Sequence, residues 1–373
     1  MAISLSERGR KRLVVKVGTN TLTGGGEALS RRPMLEVARQ IARLVREGHQ
    51  VALVSSGAIV AGRQALHVAR NGKDIPFKQV LAAVGQAKLM QAWDELFATE
   101  EVIVAQTLLT RADLADRQGY LNARNTLLAL LDRRVVPIVN ENDVVATEEI
   151  KIGDNDNLSA LVANLIDADL LILLTDQAGL YTADPRRSST ATLILEVPVI
   201  SEEITALAAG AGTARGTGGM VTKVQAARLA TESGVTVLVA GGTTENVLVR
   251  AIRGEAVGTR FPSNRTRMES RKRWILAGLA GKAAAHIDDG AVAALRRGRS
   301  LLPAGIVEVK GPFDRGDSVN IVGPEGKGVG CGVANYSAAD LERIKGCRSS
   351  EITHVLGYHF GDEVIHRNNV VML

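Results

Sequence analysis

The sequence predicts an α/β fold, a parallel sheet held between two layers of helices (an αβα sandwich), followed by a small β-rich C-terminal domain. Three observations predict it. Apolar strand-like runs alternate with helical-period segments over the first ~255 residues. The polar and glycine residues that break the apolar pattern fall repeatedly at the carboxyl ends of the strand-like runs. After Gly258 the texture changes to short strand candidates at close spacing, separated by Gly, Pro and Asp. Strand–helix alternation requires crossover helices, and these cover both faces of a parallel sheet.

Leu13-Val-Val-Lys-Val17 reads as a buried strand ending at Gly18. Met34 to Gly48 places apolar residues at Leu35, Ala38, Ile41, Leu44 and Val45, a helical period stopped by glycine. Val51-Ala-Leu-Val54 runs straight into Ser55-Ser-Gly57 and another helix-like segment. Val135 to Val139 is a strand ending at Asn140-Glu-Asn-Asp143. Asn157 to Ile166 is helical, and Leu170 to Leu174 is a strand that ends at Thr175-Asp176. Val221 to Ser233 is helical again, and Val235 to Val239 is a strand ending at Gly241-Gly242. The carboxyl ends of such strands form the binding crevice of an α/β sheet.

Residues 1–260 are therefore expected to form the large domain. The polar, basic stretch from Ser263 to Arg273 sits in a linker spanning 261–278, and 279–373 forms the small β-rich domain. Gly305 to Val309 and Ser318 to Val322 are the clearest strands of that tail.

Composition narrows the function classes. The chain has 373 residues, 46% of them hydrophobic and 23% charged, as an ordinary globular protein does. No apolar run approaches the ~18 residues of a membrane helix, and Lys16 and Gly18 interrupt the one N-terminal apolar stretch that could resemble a signal core. Two cysteines, Cys331 and Cys347, exclude a disulfide framework and a four-thiolate zinc site, and point to a reducing cytoplasm. Residues 1–260 hold 29 basic and 28 acidic residues and the tail holds 16 and 12, so the net charge of +5 sits mainly in the tail. That excess is a weak pointer to an anionic partner, and a solvated basic surface explains it equally well.

Some residues ask for a chemical reason. Lys16 lies inside an apolar strand, where an ammonium needs water or an anion. Gly216-Thr-Gly-Gly-Met-Val-Thr-Lys223 opens a helix, so bare backbone N–H groups and the helix dipole meet there. Alone, such a loop is as readily a flexible surface loop. None of the Gly-Lys pairs is followed by Ser or Thr, so no Walker A motif exists. Gly153-Asp-Asn-Asp-Asn157 supplies more polar residues than one helix cap needs. None of the six histidines lies in these motifs and no Gly-x-Ser-x-Gly elbow is present, which removes a hydrolase triad.

Taken together, Lys16-Val-Gly-Thr19, Val54-Ser-Ser-Gly-Ala-Ile59, Asn140-Glu-Asn-Asp143, Gly153-Asp-Asn-Asp-Asn-Leu-Ser159, Thr175-Asp-Gln-Ala-Gly-Leu-Tyr-Thr-Ala-Asp-Pro185 and Gly216–Lys223 resemble the amino-acid kinase family. The tail, with Arg299-Ser-Leu-Leu-Pro-Ala-Gly-Ile306 and Gly311-Pro-Phe-Asp-Arg-Gly-Asp317, resembles a PUA domain. Within the family the resemblance is to the branch that phosphorylates the side-chain carboxylate of L-glutamate with ATP, the first step of proline biosynthesis. The resemblance implies that Lys16 contacts the transferring phosphate, that Lys223 neutralises charge from the other side, and that Asp156 holds both ammonium groups. It implies that Ser56, Asp143 and Asn155 bind glutamate, with Asp143 opposite the α-ammonium. It places ATP against Lys16, Thr175, Asp176, Thr217, Gly218, Gly219, Met220, Val221, Thr222 and Lys223. Mg²⁺ is then held mainly through the phosphates, with no protein metal ligand expected. Ala178 departs from the family pattern at a position that is often charged.

The resemblance further implies a homo-oligomer, feedback inhibition by proline, and hand-off of the acyl phosphate to a glutamyl phosphate reductase, with no membrane partner. Carbamate, aspartate, acetylglutamate and uridylate kinases are the nearest alternatives within the fold. An RNA-binding protein is the alternative from another class. Against it stand the tail's small charge excess and the 3% aromatic content, which leaves little for base stacking.

Overall fold

The computed structural model describes residues 9–68, 74–146, 155–210, 219–263 and 279–372. Contacts divide them into two compact units, one of Met1–Leu114 with Ala123–Thr266 and one of Ala115–Asn122 with Arg267–Leu373.

The first unit starts with β1 (Arg12–Val17), α1 (Thr19–Thr23), α2 (Arg31–Arg46) and β2 (Gln50–Ser55). The helices α3 (Ala58–Leu66) and α4 (Ile75–Ala98) follow, then β3 (Val104–Leu109), α5 (Arg111–Ala115), α6 (Arg117–Asp132) and β4 (Val136–Glu141), with Ala115–Asn122 counted in the second unit. Next come α7 (Asn155–Leu165), β5 (Leu170–Thr175), α8 (Glu202–Gly210) and α9 (Met220–Glu232). β6 (Thr236–Gly241), α10 (Val247–Ile252) and β7 (Gly258–Phe261) complete it.

Its sheet has seven strands in the order β3-β4-β2-β1-β5-β6-β7, parallel except for β7, which runs antiparallel to β6. This is the expected αβα sandwich. β1 is central and pairs with β2 through Lys16↔Val54 and with β5 through Lys16↔Leu173. The chain leaves β1 toward one edge through β2 and toward the other through β5, so their carboxyl ends flank a topological switch point. Two strands were not legible in the sequence. β3 is an edge strand whose Gln106 and Thr107 break its apolar run, and β7 has only four residues.

The period of two along β1 sets the site. Leu13, Val15 and Val17 enter the core that α2 covers with Met34, Val37, Ala38, Ile41 and Leu44. Val14 and Lys16 therefore point to the opposite face. On the α2 side, α3 and α4 cross with backbones nearly in contact. A Cβ at Gly62 would lie 1.8 Å from the Leu81 carbonyl oxygen, and one at Gly85 would lie 1.8 Å from that of Ala58. Only glycine permits that crossing.

The second unit holds β8 (Leu279–Ile287), α11 (Asp289–Arg296), β9 (Ile306–Lys310), β10 (Ser318–Val322), β11 (Gly328–Val333), α12 (Ala338–Ile344), α13 (Ile352–Leu356) and β12 (Val370–Met372). Its sheet order is β12-β11-β10-β8-β9, antiparallel except for β10 with β8. Val319, Ile321, Tyr336, Leu341 and Ile352 fill its core. Of the expected linker 261–278, Phe261 closes β7, and 264–278 lie outside the described residues.

Candidate active site

Lys16 leaves β1 on the face covered by α7 and meets Asp156 there, with Nζ 2.7 Å from Oδ1. Lys223, one turn into α9, reaches the other oxygen of the same carboxylate at 3.1 Å. Thr222 Oγ1 donates to that oxygen at 2.6 Å. Asp156 is 0% exposed, Lys16 4% and Lys223 5%. The two ammonium groups thus share one buried carboxylate, and the cluster carries a net charge of +1.

Burial pushes the Asp156 carboxyl up, but Lys16, Lys223 and the Thr222 hydroxyl outweigh it and hold it well below the usual carboxylate range. Asp156 is ionised at every pH at which the protein works. The helix start contributes as well. The sequence pattern puts the start of the helix at Asn157, with more polar residues ahead of it than a cap needs. In the structure α7 begins at Asn155, which puts Asp156 in the first turn, where the helix dipole favours an anion. Gly18 leaves the space beside Lys16 open, since a Cβ there would sit 3.5 Å from Nζ.

Asn155, the neighbouring residue on α7, builds a second polar cluster at the ends of β2 and β4. Its Nδ2 donates to Ser56 Oγ at 3.0 Å and to Asn140 Oδ1 at 3.0 Å, and lies 3.4 Å from the Ser55 carbonyl oxygen. Asn140 Nδ2 donates to Gln86 Oε1 at 2.8 Å. Ser56 is tied to the end of β1 by its N–H, which donates to the Val17 carbonyl at 3.1 Å. Asp143 is half-buried in the turn that follows β4.

A third cluster forms at the end of β5. Thr175 Oγ1 donates to Asp176 Oδ1 at 3.0 Å, and Asn20 Nδ2 lies 3.4 Å from Asp176 Oδ2. Gly219 is the extended N-cap of α9 and has no side chain of its own to cap the first N–H groups. Met220 is buried and Val221 half-buried behind it. Thr217 and Gly218, like Glu148 to Asp154, lie outside the described residues. A cavity of about 440 Å³ elsewhere, lined by Met34, Ala61, His67, Lys88 and Glu95 among others, involves none of these residues.

Residues 11–241 match the model of the amino acid kinase family, and 284–356 match that of the PUA domain. The chain is 55% identical over 361 residues to a glutamate 5-kinase of Herpetosiphon aurantiacus, covering 96% of this chain and 98% of the relative. It is 52% identical over 373 residues to a glutamate 5-kinase of Dehalococcoides mccartyi, covering 99% and 100%. The chain belongs to the glutamate 5-kinase branch of the amino acid kinase family. A glutamate 5-kinase of Shewanella amazonensis, 52% identical over 369 residues, shares the same extent.

Within this glutamate 5-kinase chain the structure brings Lys16, Asp156, Lys223 and Thr222 into one cluster and Ser56 and Asn155 into the next. Sequence reasoning did not single out Gln86, Asn20 or Trp93. Trp93 Nε1 donates to Ser55 Oγ at 2.9 Å, beneath the second cluster. The signals for these residues are slight: Gln86 is one of three glutamines in α4, set apart only by standing beside the glycine that lets the helix approach. Among the described residues no group of three or more His, Cys, Asp or Glu could hold a metal ion.

Proposed function

We propose that this protein transfers the γ-phosphoryl group of ATP to the side-chain carboxylate of L-glutamate, giving L-glutamyl 5-phosphate. The observation that carries the reading is the pair of buried lysines on one carboxylate. The side-chain carboxyl of free glutamate titrates near ~4.3 and is already a nucleophile at neutral pH, so the reaction needs no base. Its difficulty is the approach of that anion to a polyanionic phosphate. Lys16 and Lys223, preset by Asp156, supply positive charge where charge spreads over the transferring group, at no cost of reorganisation.

The remaining roles belong to the same proposal. Ser56, Asp143 and Asn155 bind glutamate, with Asp143 facing its α-ammonium. Thr175, Asp176 and the start of α9 line the nucleotide, with first-turn N–H groups suited to phosphate oxygens. Both Asp156 oxygens are engaged by cations or hydroxyl, so this carboxylate is no metal ligand. The donor set fits Mg²⁺ that is held through the phosphates of ATP and screens their charge. A cytoplasmic homo-oligomer, inhibited by proline and passing its acyl phosphate to a reductase, completes the reading. Two cysteines in no disulfide, Cys331 and Cys347, support the cytoplasmic placement, and the rest follows from the family resemblance. No described helix is long and apolar enough to cross a membrane.

The test is trapping of the acyl phosphate as a hydroxamate with ATP and L-glutamate, with and without proline. Coupled ADP release is measured in parallel against aspartate, acetylglutamate, carbamate and uridylate. Hydroxamate with L-glutamate alone is the expected result. ADP release that ignores glutamate and follows another acceptor overturns the assignment.

A further inference from the structure

The amides at the ends of β2 and β4 form a ladder with a fixed direction. Amide oxygen and nitrogen can exchange places only where the partners tolerate it. Asn155 faces the backbone carbonyl of Ser55, which can only accept, so its nitrogen must point there. That choice forces the next one. Asn140 must present Oδ1 to Asn155 Nδ2, which leaves its nitrogen for Gln86 Oε1. One carbonyl oxygen therefore orients three side-chain amides.

The ladder ends in two groups without a hydrogen-bond partner among the described residues. These are Asn155 Oδ1, a buried acceptor, at one end and Gln86 Nε2, a buried donor, at the other. Buried amide atoms rarely stay unpaired, and a free acceptor beside Ser56 suits an ammonium donor. Gln86 holds its place because Gly85 packs directly on the Ala58 backbone, two residues after Ser56. The crossing of α3 and α4 thus sets the Gln86 side chain against the end of β4.

We propose that Gln86 is a positioning residue for the amino-acid substrate: the Ser55 carbonyl sets the direction of the ladder, and Gln86, by accepting from Asn140, holds Asn140 against Asn155 and so keeps Asn155 Oδ1 toward the substrate α-ammonium. The inference rests on the glutamate kinase reading above. The hydrogen bond described for Gln86 runs to Asn140 and not to the Lys16–Asp156–Lys223 cluster, so its role lies in recognition and not in transfer.

The test compares L-glutamate with glutarate, which keeps the reacting carboxylate and lacks the amino group. Gln86→Met preserves length and removes the acceptor. The expected result is a rise in KM for glutamate of about tenfold, with KM for ATP and kcat within twofold and discrimination against glutarate reduced by the same factor. Gln86→Glu keeps an oxygen toward Asn140 and is expected to retain more of that discrimination than Gln86→Met. In an Asn140→Ser background, Gln86→Met is expected to add nothing further. An unchanged glutamate KM, equal losses for glutamate and ATP, or full additivity with Asn140→Ser overturns the inference. If the methionine variant does not fold, Asn140→Ser alone decides, because wild-type discrimination in that variant breaks the ladder argument. A wild-type protein inactive on glutamate sinks the underlying reading instead, so the two failures are separable.

Discussion

At the amino end of β1, the Arg12 N–H donates to Asp169 Oδ2 at 2.7 Å, and the guanidinium gives Nε to Gln50 Oε1 at 2.9 Å and a further N–H to the Ile166 carbonyl. Gln50 passes its own N–H to Asp132 at 2.8 Å, and Arg124 pairs with Asp167 at 2.6 Å while also donating to the Leu165 carbonyl. At the carboxyl end of the same strand, Lys16 and Lys223 share Asp156 alone among the ion pairs described. The first cluster sets three carboxylates, an amide and two carbonyls around two cations. The second sets one carboxylate between two cations. Guanidinium groups enclosed by acceptors hold helices and strands together and have little left to offer a ligand. Two ammonium groups gathered on one carboxylate make a local excess of positive charge that attracts an incoming anion. The contrast separates architecture from chemistry within one sheet.

The largest expected effect comes from Asp156→Ala, which removes the buried carboxylate that Lys16 and Lys223 share. Stability at neutral pH should fall by about 3–5 kcal/mol, the scale for breaking a buried ion pair, and turnover should fall with it. The pH dependence has a defined sign. The folded Asp156 carboxyl titrates below its ordinary 3.8, so its contribution is complete above that value and is lost as pH falls below it. Urea titrations from pH 7 to pH 3 should show a gap between wild type and Asp156→Ala that is steady down to about pH 4 and narrows below it without closing, because the folded carboxyl titrates lower still. A constant gap down to pH 3 contradicts the ion-pair account.

Next is Lys223→Ala. Lys16 and Asp156 remain as a neutral pair, so the fold should persist, while kcat falls by about 10²–10³ for one lost charge-stabilising contact. A folded variant with near-normal turnover breaks the proposed division between the two ends. Arg124→Leu is the converse. It should lower stability by about 2 kcal/mol, the scale of a charged hydrogen bond, and leave kcat and both KM values within twofold. A catalytic defect exceeding the stability loss would show that the amino end is not merely architectural.

Much of this contrast was legible before the structure, and the reasons are specific. Lys16 stood out because an ammonium inside an otherwise apolar strand needs water or an anion, and Asp156 because its segment held more polar residues than a cap requires. Arg12 did not stand out, since an arginine at the first residue of a strand is ordinary, and its partners Gln50, Asp132 and Asp169 are scattered along the chain. Gln86 was hidden for a related reason. Its function depends on the Gly85–Ala58 approach, a distance between two helices that no local pattern encodes. β3 escaped because an edge strand is half-exposed, so its residues carry neither a continuous apolar run nor a clean alternation.

The smallest effect concerns the glutamate side, where the balance of charge again decides. Asp143 sits in the turn after β4 and is only half-buried, so its removal should cost less stability than that of the fully buried Asp156. An exposed or half-exposed carboxylate facing an ammonium ion contributes on the order of 1 kcal/mol, which corresponds to a rise in glutamate KM of about five- to tenfold in Asp143→Ala. The ATP KM should stay within twofold, because the nucleotide lies against β5 and α9 in this reading. Steady-state kinetics with each substrate varied at saturation of the other makes the measurement. A variant that lost only ATP affinity would move Asp143 to the other side of the transferring phosphate and redraw the site around it.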